Sequence, residues 1–268
     1  NRIINSLQNL KFGKPAINKM FEEMNLEENL RYKNQDFKLS FNKSIKIENV
    51  SFKYNSDDEF QIKNINLSLI KGKAYGIIGK SGSGKSTFVD ILLGLLDDYE
   101  GKIFVDNKDI LKNVRGWQNL IGYVPQSIFL CDDTIKNNIA FGIKNIDNQK
   151  LNNAIKLAQI EDIINISKEG INTMVGERGV RLSGGQIQRI GIARSLYHNP
   201  KILILDEATS SLDMKTEEKI MKSVYSLYGN LTLIIIAHRL STLSKCDKII
   251  RLSNGCVVEE TFYSGISN

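Results

Sequence analysis

Gly79-Lys80-Ser81-Gly82-Ser83-Gly84-Lys85-Ser86-Thr87 is the stretch on which the reading of the fold turns. It fits G-x-x-x-x-G-K-[ST] and lies between an apolar strand, AYGIIG (74–79), and an apolar-rich helical run, FVDILLGLL. The glycines let backbone N–H groups curl around phosphate oxygens without Cβ clashes, and the helix that follows points its positive end at the same anion. Such a loop sets Lys85 against the β and γ phosphates and the Ser86 hydroxyl against Mg²⁺. Guanine readers carry N-K-x-D, and the nearest string, Asn107-Lys108-Asp109, has the wrong spacing.

Outward from this loop, short apolar strands without alternation recur at KILILD (201–206) and LTLIIIAH (231–238), each close to a helical stretch. Strands apolar on both faces and separated by helices imply a largely parallel sheet covered on both sides, an α/β fold. Before the loop the pattern alternates. Ile45 and Ile47, then Val50, Phe52 and Tyr54 read as one strand that slips at Glu48-Asn49 as a bulge would make it, and Ile65, Leu67 and Leu69 read as a second. Residues 1–25 show helical spacing, with Ile3, Leu7 and Leu10 on one face and Ile17, Met20, Phe21 and Met24 after an interruption at Gly13-Lys14-Pro15, so they read as one kinked helix or two. The polar run from Asn25 to Asn42 reads as a linker, and the compact domain is expected to start near Ser44.

Composition excludes more than it assigns. With 41% hydrophobic and 25% charged residues the chain is neither disordered nor fibrous. A net charge of +6 suits a phosphate-rich partner, or records the frequent Lys, Asn and Ile. Cys131, Cys246 and Cys256 form no C-x-x-C pair and come with two histidines, which speaks against a zinc site or a disulfide framework and for a reducing compartment. No apolar run reaches the roughly 18 residues needed to cross a bilayer. The first residue is Asn1, which suggests a piece of something longer.

A second phosphate cradle follows. Leu182-Ser183-Gly184-Gly185-Gln186 precedes a helical run in which Ile190, Ala193 and Leu196 share a face. Ser183 can cap that helix, and the two glycines leave backbone amides open. At this string the sequence resembles the ABC ATPase family, whose signature is LSGGQ. The resemblance covers about residues 44–260. It implies a P-loop NTPase of ABC architecture: a RecA-like, mostly parallel core sheet with helices on both faces, an antiparallel β-subdomain, and a helical subdomain, about 127–198, that carries the signature. It also implies that ATP is held between the phosphate loop of one subunit and the signature of another, in a head-to-tail dimer of identical chains.

The remaining family positions occur in the expected order. Asp206, at the end of its strand, resembles the Walker B carboxylate that coordinates Mg²⁺, and Glu207 the general base that polarises the attacking water. Two acids after an apolar strand could instead be a plain helix start. Tyr54 resembles the aromatic that stacks on adenine, and Gln126 the glutamine that touches Mg²⁺ and senses the transport domain. Asp213, in Ser210-Ser211-Leu212-Asp213, resembles the D-loop aspartate, and His238 the switch histidine that contacts the γ-phosphate. Ile187 stands where many relatives place a basic residue, and Ser211 where alanine is common. Neither removes a catalytic group.

Two stretches resemble exporters in particular. Val175-Gly176-Glu177-Arg178-Gly179 is similar to the X-loop, whose Glu reaches the membrane domain, and the run 126–139 is similar to the groove that receives a coupling helix. Phe129, Leu130, Ile135 and Ile139 in that run could equally be core. Residues 1–25 then read as the cytoplasmic end of the last transmembrane helix of a fused exporter, or as an amphipathic helix folding back on the domain. The stretches LQNLKFGKPAINKM and IFLCDDTIKNNIAFG resemble flippases of lipid-linked oligosaccharides; otherwise the exporter resemblance leaves a lipid, a peptide or a drug as cargo. The exporter resemblance implies a place at the cytoplasmic face of a membrane and no nucleic-acid partner. The alternative is a soluble, non-transport ABC ATPase acting on nucleic acid or ribosomes, and the basic charge would suit it.

Overall fold

Strands that are apolar on both sides need two covers, and in the computed structural model one sheet separates two cores. The structure describes residues 2–24, 39–55, 59–209, 212, 214–237 and 239–263. The chain divides into two units, Asn1–Asp36 and Phe37–Asn268. In the first, α1 (Arg2–Met24) is a single helix that runs through Gly13-Lys14-Pro15 without a break. Pro15 removes one backbone donor there, and 23 residues of surrounding helix tolerate the loss. Among the described residues no helix is long and apolar enough to cross a membrane.

The second unit begins with β1 (Ser44–Phe52) and β2 (Ile62–Ile70), paired antiparallel. Their register slips between Ile47 and Val50, where Asn49 adopts φ 52°, so the break in alternation is a bulge. The phosphate loop joins β3 (Ala74–Ile78) to α2 (Lys85–Leu92). There follow β4 (Glu100–Val105), β5 (Lys108–Asp109), α3 (Val114–Gln118) and β6 (Ile121–Val124). A helical segment comes next: α4 (Ile135–Ile139), α5 (Asn148–Leu157), α6 (Glu161–Ile166) and α7 (Gly184–Leu196). The chain closes with β7 (Ile202–Asp206), α8 (Met214–Tyr225), β8 (Thr232–Ile236), β9 (Lys248–Ser253) and β10 (Cys256–Thr261).

Among the described residues the strands form an antiparallel sheet, β2-β1-β4-β5, and a larger sheet, β10-β9-β3-β8-β7-β6. In the larger sheet β9, β3, β8, β7 and β6 are parallel, and β10 closes one edge antiparallel to β9. Leu203, Leu205, Leu233 and Ile235 pack on one face with Ile190, Ala193 and Leu196 of α7 and Ile220 and Val224 of α8. The alternate residues Ile202, Ile204, Ile234 and Ile236 pack on the other with Phe88 and Leu92 of α2, Trp117 of α3 and the inner face of the antiparallel sheet. Helices therefore lie on both faces, and on the second face they share the cover with that sheet.

The start of the compact domain is corrected. Leu39 and Phe41, read as linker, are each 3% exposed and belong to the second core. Their alternation with Ser40 and Asn42 is a short period-two pattern hidden inside a polar run. The Asp106 carboxylate accepts the N–H groups of Asn42, Lys43 and Ser44 and pins this entry to the β4–β5 turn. The rest of the expected linker, 26–38, lies outside the described residues.

Trp117 is fully buried and its indole N–H donates to the Leu92 carbonyl at 2.7 Å, so it joins α3 to the end of α2. Trp117→Ala is expected to cost about 3–5 kcal/mol in chemical denaturation; a loss under about 1 kcal/mol would mean the site collapses freely.

Candidate active site

The loop after β3 has its shape imposed by crowding. A Cβ on Gly79 would lie 2.4 Å from the Leu252 carbonyl oxygen, and one on Gly84 2.9 Å from that of Gln61. Gly84 also holds φ 98° as it leads into α2. Lys85 is 7% exposed, and its Nζ donates to the carbonyls of Gly79 (2.9 Å) and Lys80 (3.1 Å). Its ammonium is thus held over the loop, where first-turn amides and a helix N-terminus add positive potential.

A cleft of about 430 Å³ opens on this loop. It is lined by Ser81, Gly82, Gly84 and Lys85 to Thr87, together with Gln61, Gln126 and Glu207. Gln126 Nε2 donates to Glu207 Oε2 at 3.0 Å. Asp206 ends β7 and Glu207 follows it, and neither begins a helix, since α8 starts at Met214. Glu207 instead turns with φ 48°, and its N–H donates to the Ile236 carbonyl of β8 at 3.0 Å. A non-glycine residue keeps such a backbone only where its surroundings over-determine it. Burial, then the charges of Glu207 and Asp90, push the Asp206 carboxyl up, against a hydrogen bond from Tyr123 Oη (3.2 Å) and the charge of Lys85; the net direction is upward.

Gln61 and Tyr123 were not singled out from the sequence. Gln61 sits 23 positions before Gly84 in no motif, and Tyr123 meets Asp206 only through the parallel pairing of β6 with β7. Tyr54 is exposed, packs edge-on against Phe52 and lies with its hydroxyl 3.3 Å from Thr87 Oγ1, so it stands beside the end of the loop.

The signature string lies elsewhere. Ser183 caps α7 in a reciprocal arrangement: its Oγ accepts from the Gln186 N–H at 3.4 Å, and its own N–H donates to Gln186 Oε1 at 2.8 Å. Leu182 and Ile187 pack on the helical core, which explains an apolar residue at position 187. None of Leu182, Ser183, Gly184, Gly185 and Gln186 lines the phosphate cleft. In the 126–139 run, Leu130, Ile135 and Ile139 are core while Phe129 is exposed, as is Phe141 just beyond. Glu177 is exposed. His238, Asp213, Ser210 and Ser211 lie outside the described residues.

Residues 62–210, which span the phosphate loop, both acids and the signature, match the family described as ABC transporter. The chain belongs to that family. An export ATP-binding/permease protein of Rickettsia typhi is 43% identical over 230 residues, 85% of this chain and 38% of the relative. The alpha-hemolysin translocation ATP-binding protein HlyB of Escherichia coli is 43% identical over 198 residues, 74% of this chain and 28% of the relative. A solved bacterial Atm1-family ABC exporter with ATP bound superposes with a TM-score of 0.84 at 35% identity, over 95% of this chain and 45% of that one. The chain spans less than half the length of each. Its fold is that of the ABC transporter ATPase domain, and it is an ATP-binding ATPase of this family.

Ionisation of Asp206, harder in the fold than in the unfolded chain, makes the fold less stable as pH rises from the ordinary aspartate value to the raised one. Asp206→Asn, which cannot ionise, is therefore expected to lack that fall, so that its Tm gains on the parent's as pH rises through the carboxylate range. A Tm that instead loses ground to the parent's over that range would show that ionised Asp206 supports the fold.

Proposed function

We propose that the phosphate loop of this ABC transporter domain and the signature helix of a second copy together hold one ATP, and that Glu207 drives its hydrolysis. The observation that carries this is the separation within one chain: two glycine-bearing helix N-termini suited to phosphate, of which one lines the cleft and the other does not. A head-to-tail pair of identical chains gives both cradles the same ligand. Glu207, held by Gln126 at the cleft wall, takes a proton from water as the water oxygen bonds to the γ-phosphorus. The bond from that phosphorus to the β–γ bridging oxygen breaks, and ADP and phosphate result. Lys85 bears the charge on the β and γ oxygens, Tyr54 faces the adenine, and His238 and Asp213 take the roles of their family counterparts at the γ-phosphate and the dimer contact.

The donors around the cleft also suit Mg²⁺. Among the described residues no cluster of three or more His, Cys, Asp or Glu could cage a metal, whereas a Ser86 hydroxyl, the Asp206 carboxylate and the Gln126 carboxamide are the few hard oxygens that a phosphate-bound Mg²⁺ takes from protein. Asp206, whose charge burial disfavours, would gain the most from such a cation. When bound, the metal supplies charge neutralisation across the β and γ oxygens.

For the longer protein, we propose an exporter in which this domain works at the cytoplasmic face of a membrane. The exposed Phe129, Phe141 and Glu177 would receive the membrane part, and α1 would lead to the last transmembrane helix. The names of the relatives, which speak of export and of hemolysin translocation, support this reading. A lipid-linked oligosaccharide is proposed as cargo on the resemblance of the 7–20 and 128–142 stretches.

Glu207→Gln is expected to lower kcat by about 10² to 10⁴ while ATP stays bound and holds two chains together in sedimentation; unchanged turnover would remove Glu207 as the base. Lys85→Ala is expected to weaken ATP binding by roughly tenfold or more, as losing one charge-assisted contact of 1.5–3 kcal/mol implies, and parental affinity in calorimetry would contradict the cradle.

A further inference from the structure

Glu217, in the first turn of α8, is a 9%-exposed carboxylate that no step of the proposed hydrolysis uses. Its Oε1 accepts from Thr209 Oγ1 at 2.9 Å and from Thr242 Oγ1 at 2.7 Å, and its Oε2 from Arg239 Nη1. The three donors come from two segments that border the cleft chemistry. Thr209 lies two residues after Glu207, and Arg239 and Thr242 follow β8, whose Ile236 carbonyl holds the Glu207 N–H. Arg239 Nη1 also reaches the Leu212 carbonyl at 3.5 Å. The same turn of α8 touches the start of α7, where a Cβ on Gly185 would lie 2.5 Å from Thr216 Cγ2.

We propose that Glu217 is a positioning residue for ATP hydrolysis: its carboxylate locks the Glu207-to-Thr209 turn to the segment after β8, so that the base keeps its aim. Only an acceptor-only group satisfies two hydroxyl donors and a guanidinium at once. Burial pushes the carboxyl up, and the hydrogen bonds from Thr242, Arg239 and Thr209 more than reverse it, which keeps Glu217 ionised. Glu207 holds a backbone conformation that a non-glycine residue leaves when its supports are removed. Thr209 and Thr242 are buried, so their hydroxyls have no water to turn to when the carboxylate is gone.

The test compares variants of the whole chain by steady-state ATPase and by titration with a fluorescent ATP analogue. Glu217→Gln, which turns an N–H toward a donor, and Thr209→Val, which keeps shape and removes the donor, are each expected to lower kcat roughly 10- to 100-fold. Nucleotide affinity should stay within about twofold in both, the split that separates aim from binding. Thr209→Ser should recover most of what Thr209→Val loses, and Glu218→Gln, at the exposed neighbour, should match the parent. Should Glu217→Gln fail to fold, Thr209→Val carries the test. Parental kcat in Thr209→Val, or a matched fall in kcat and affinity, overturns the proposal. It rests on Glu207 as base, and the two readings fail separately. Turnover in Glu207→Gln would sink the base, whereas an inactive Glu207→Gln beside a fully active Thr209→Val sinks the positioning role alone.

Discussion

A sheet whose strands run parallel has all of its C-terminal ends on one edge, and the chemistry of this domain depends on that constraint. The phosphate loop leaves β3, Gln126 follows β6, Asp206 ends β7 with Glu207 next to it, and the segment to Arg239 follows β8. The first three, far apart in sequence, line one cleft because the register of β6, β7, β8 and β3 brings them there, and β8 holds the Glu207 N–H through its Ile236 carbonyl. The register holds because both faces of the sheet are buried. Alternate residues of β7 and β8 enter separate cores, and a slip of one residue would exchange Leu203 and Leu205 for Ile202 and Ile204 at every contact.

What can be read from sequence follows from how local each signal is. The phosphate loop, the strand-end acids and the capped start of α7 are contiguous strings whose chemistry needs only neighbours, and each lies on the element its pattern implied. Leu39 and Phe41 escaped because a two-residue alternation inside a polar run looks like linker until Asp106, more than sixty positions on, is seen to hold its backbone. Gln61, Tyr123 and Glu217 escaped for the same reason. Their partners Gly84, Asp206 and Thr242 are brought close by sheet pairing or by packing, and no spacing within the chain announces them.

The carboxylates of the domain fall into two kinds. Asp206 carries an upward-shifted carboxyl, and Glu207 a left-handed backbone, as expected of residues kept for chemistry rather than for stability. Glu217, Asp247 and Asp106 are carboxylates drawn below the ordinary range by donors from distant segments; Glu217 ties Thr209 to Arg239 and Thr242, Asp247 holds the start of β3, and Asp106 pins the entry to β1.

In the proposed dimer the two cradles of one chain serve two different nucleotides. Mixing Lys85→Ala chains with Ser183→Arg chains measures it directly, since every homodimer then has both sites broken and the mixed dimer has one intact site, built from the Ser183→Arg chain's loop and the Lys85→Ala chain's signature. ATPase activity in the mixture is expected well above the sum of the two variants alone. Activity no greater than that sum, at concentrations where the unsubstituted chain turns over ATP, would contradict it.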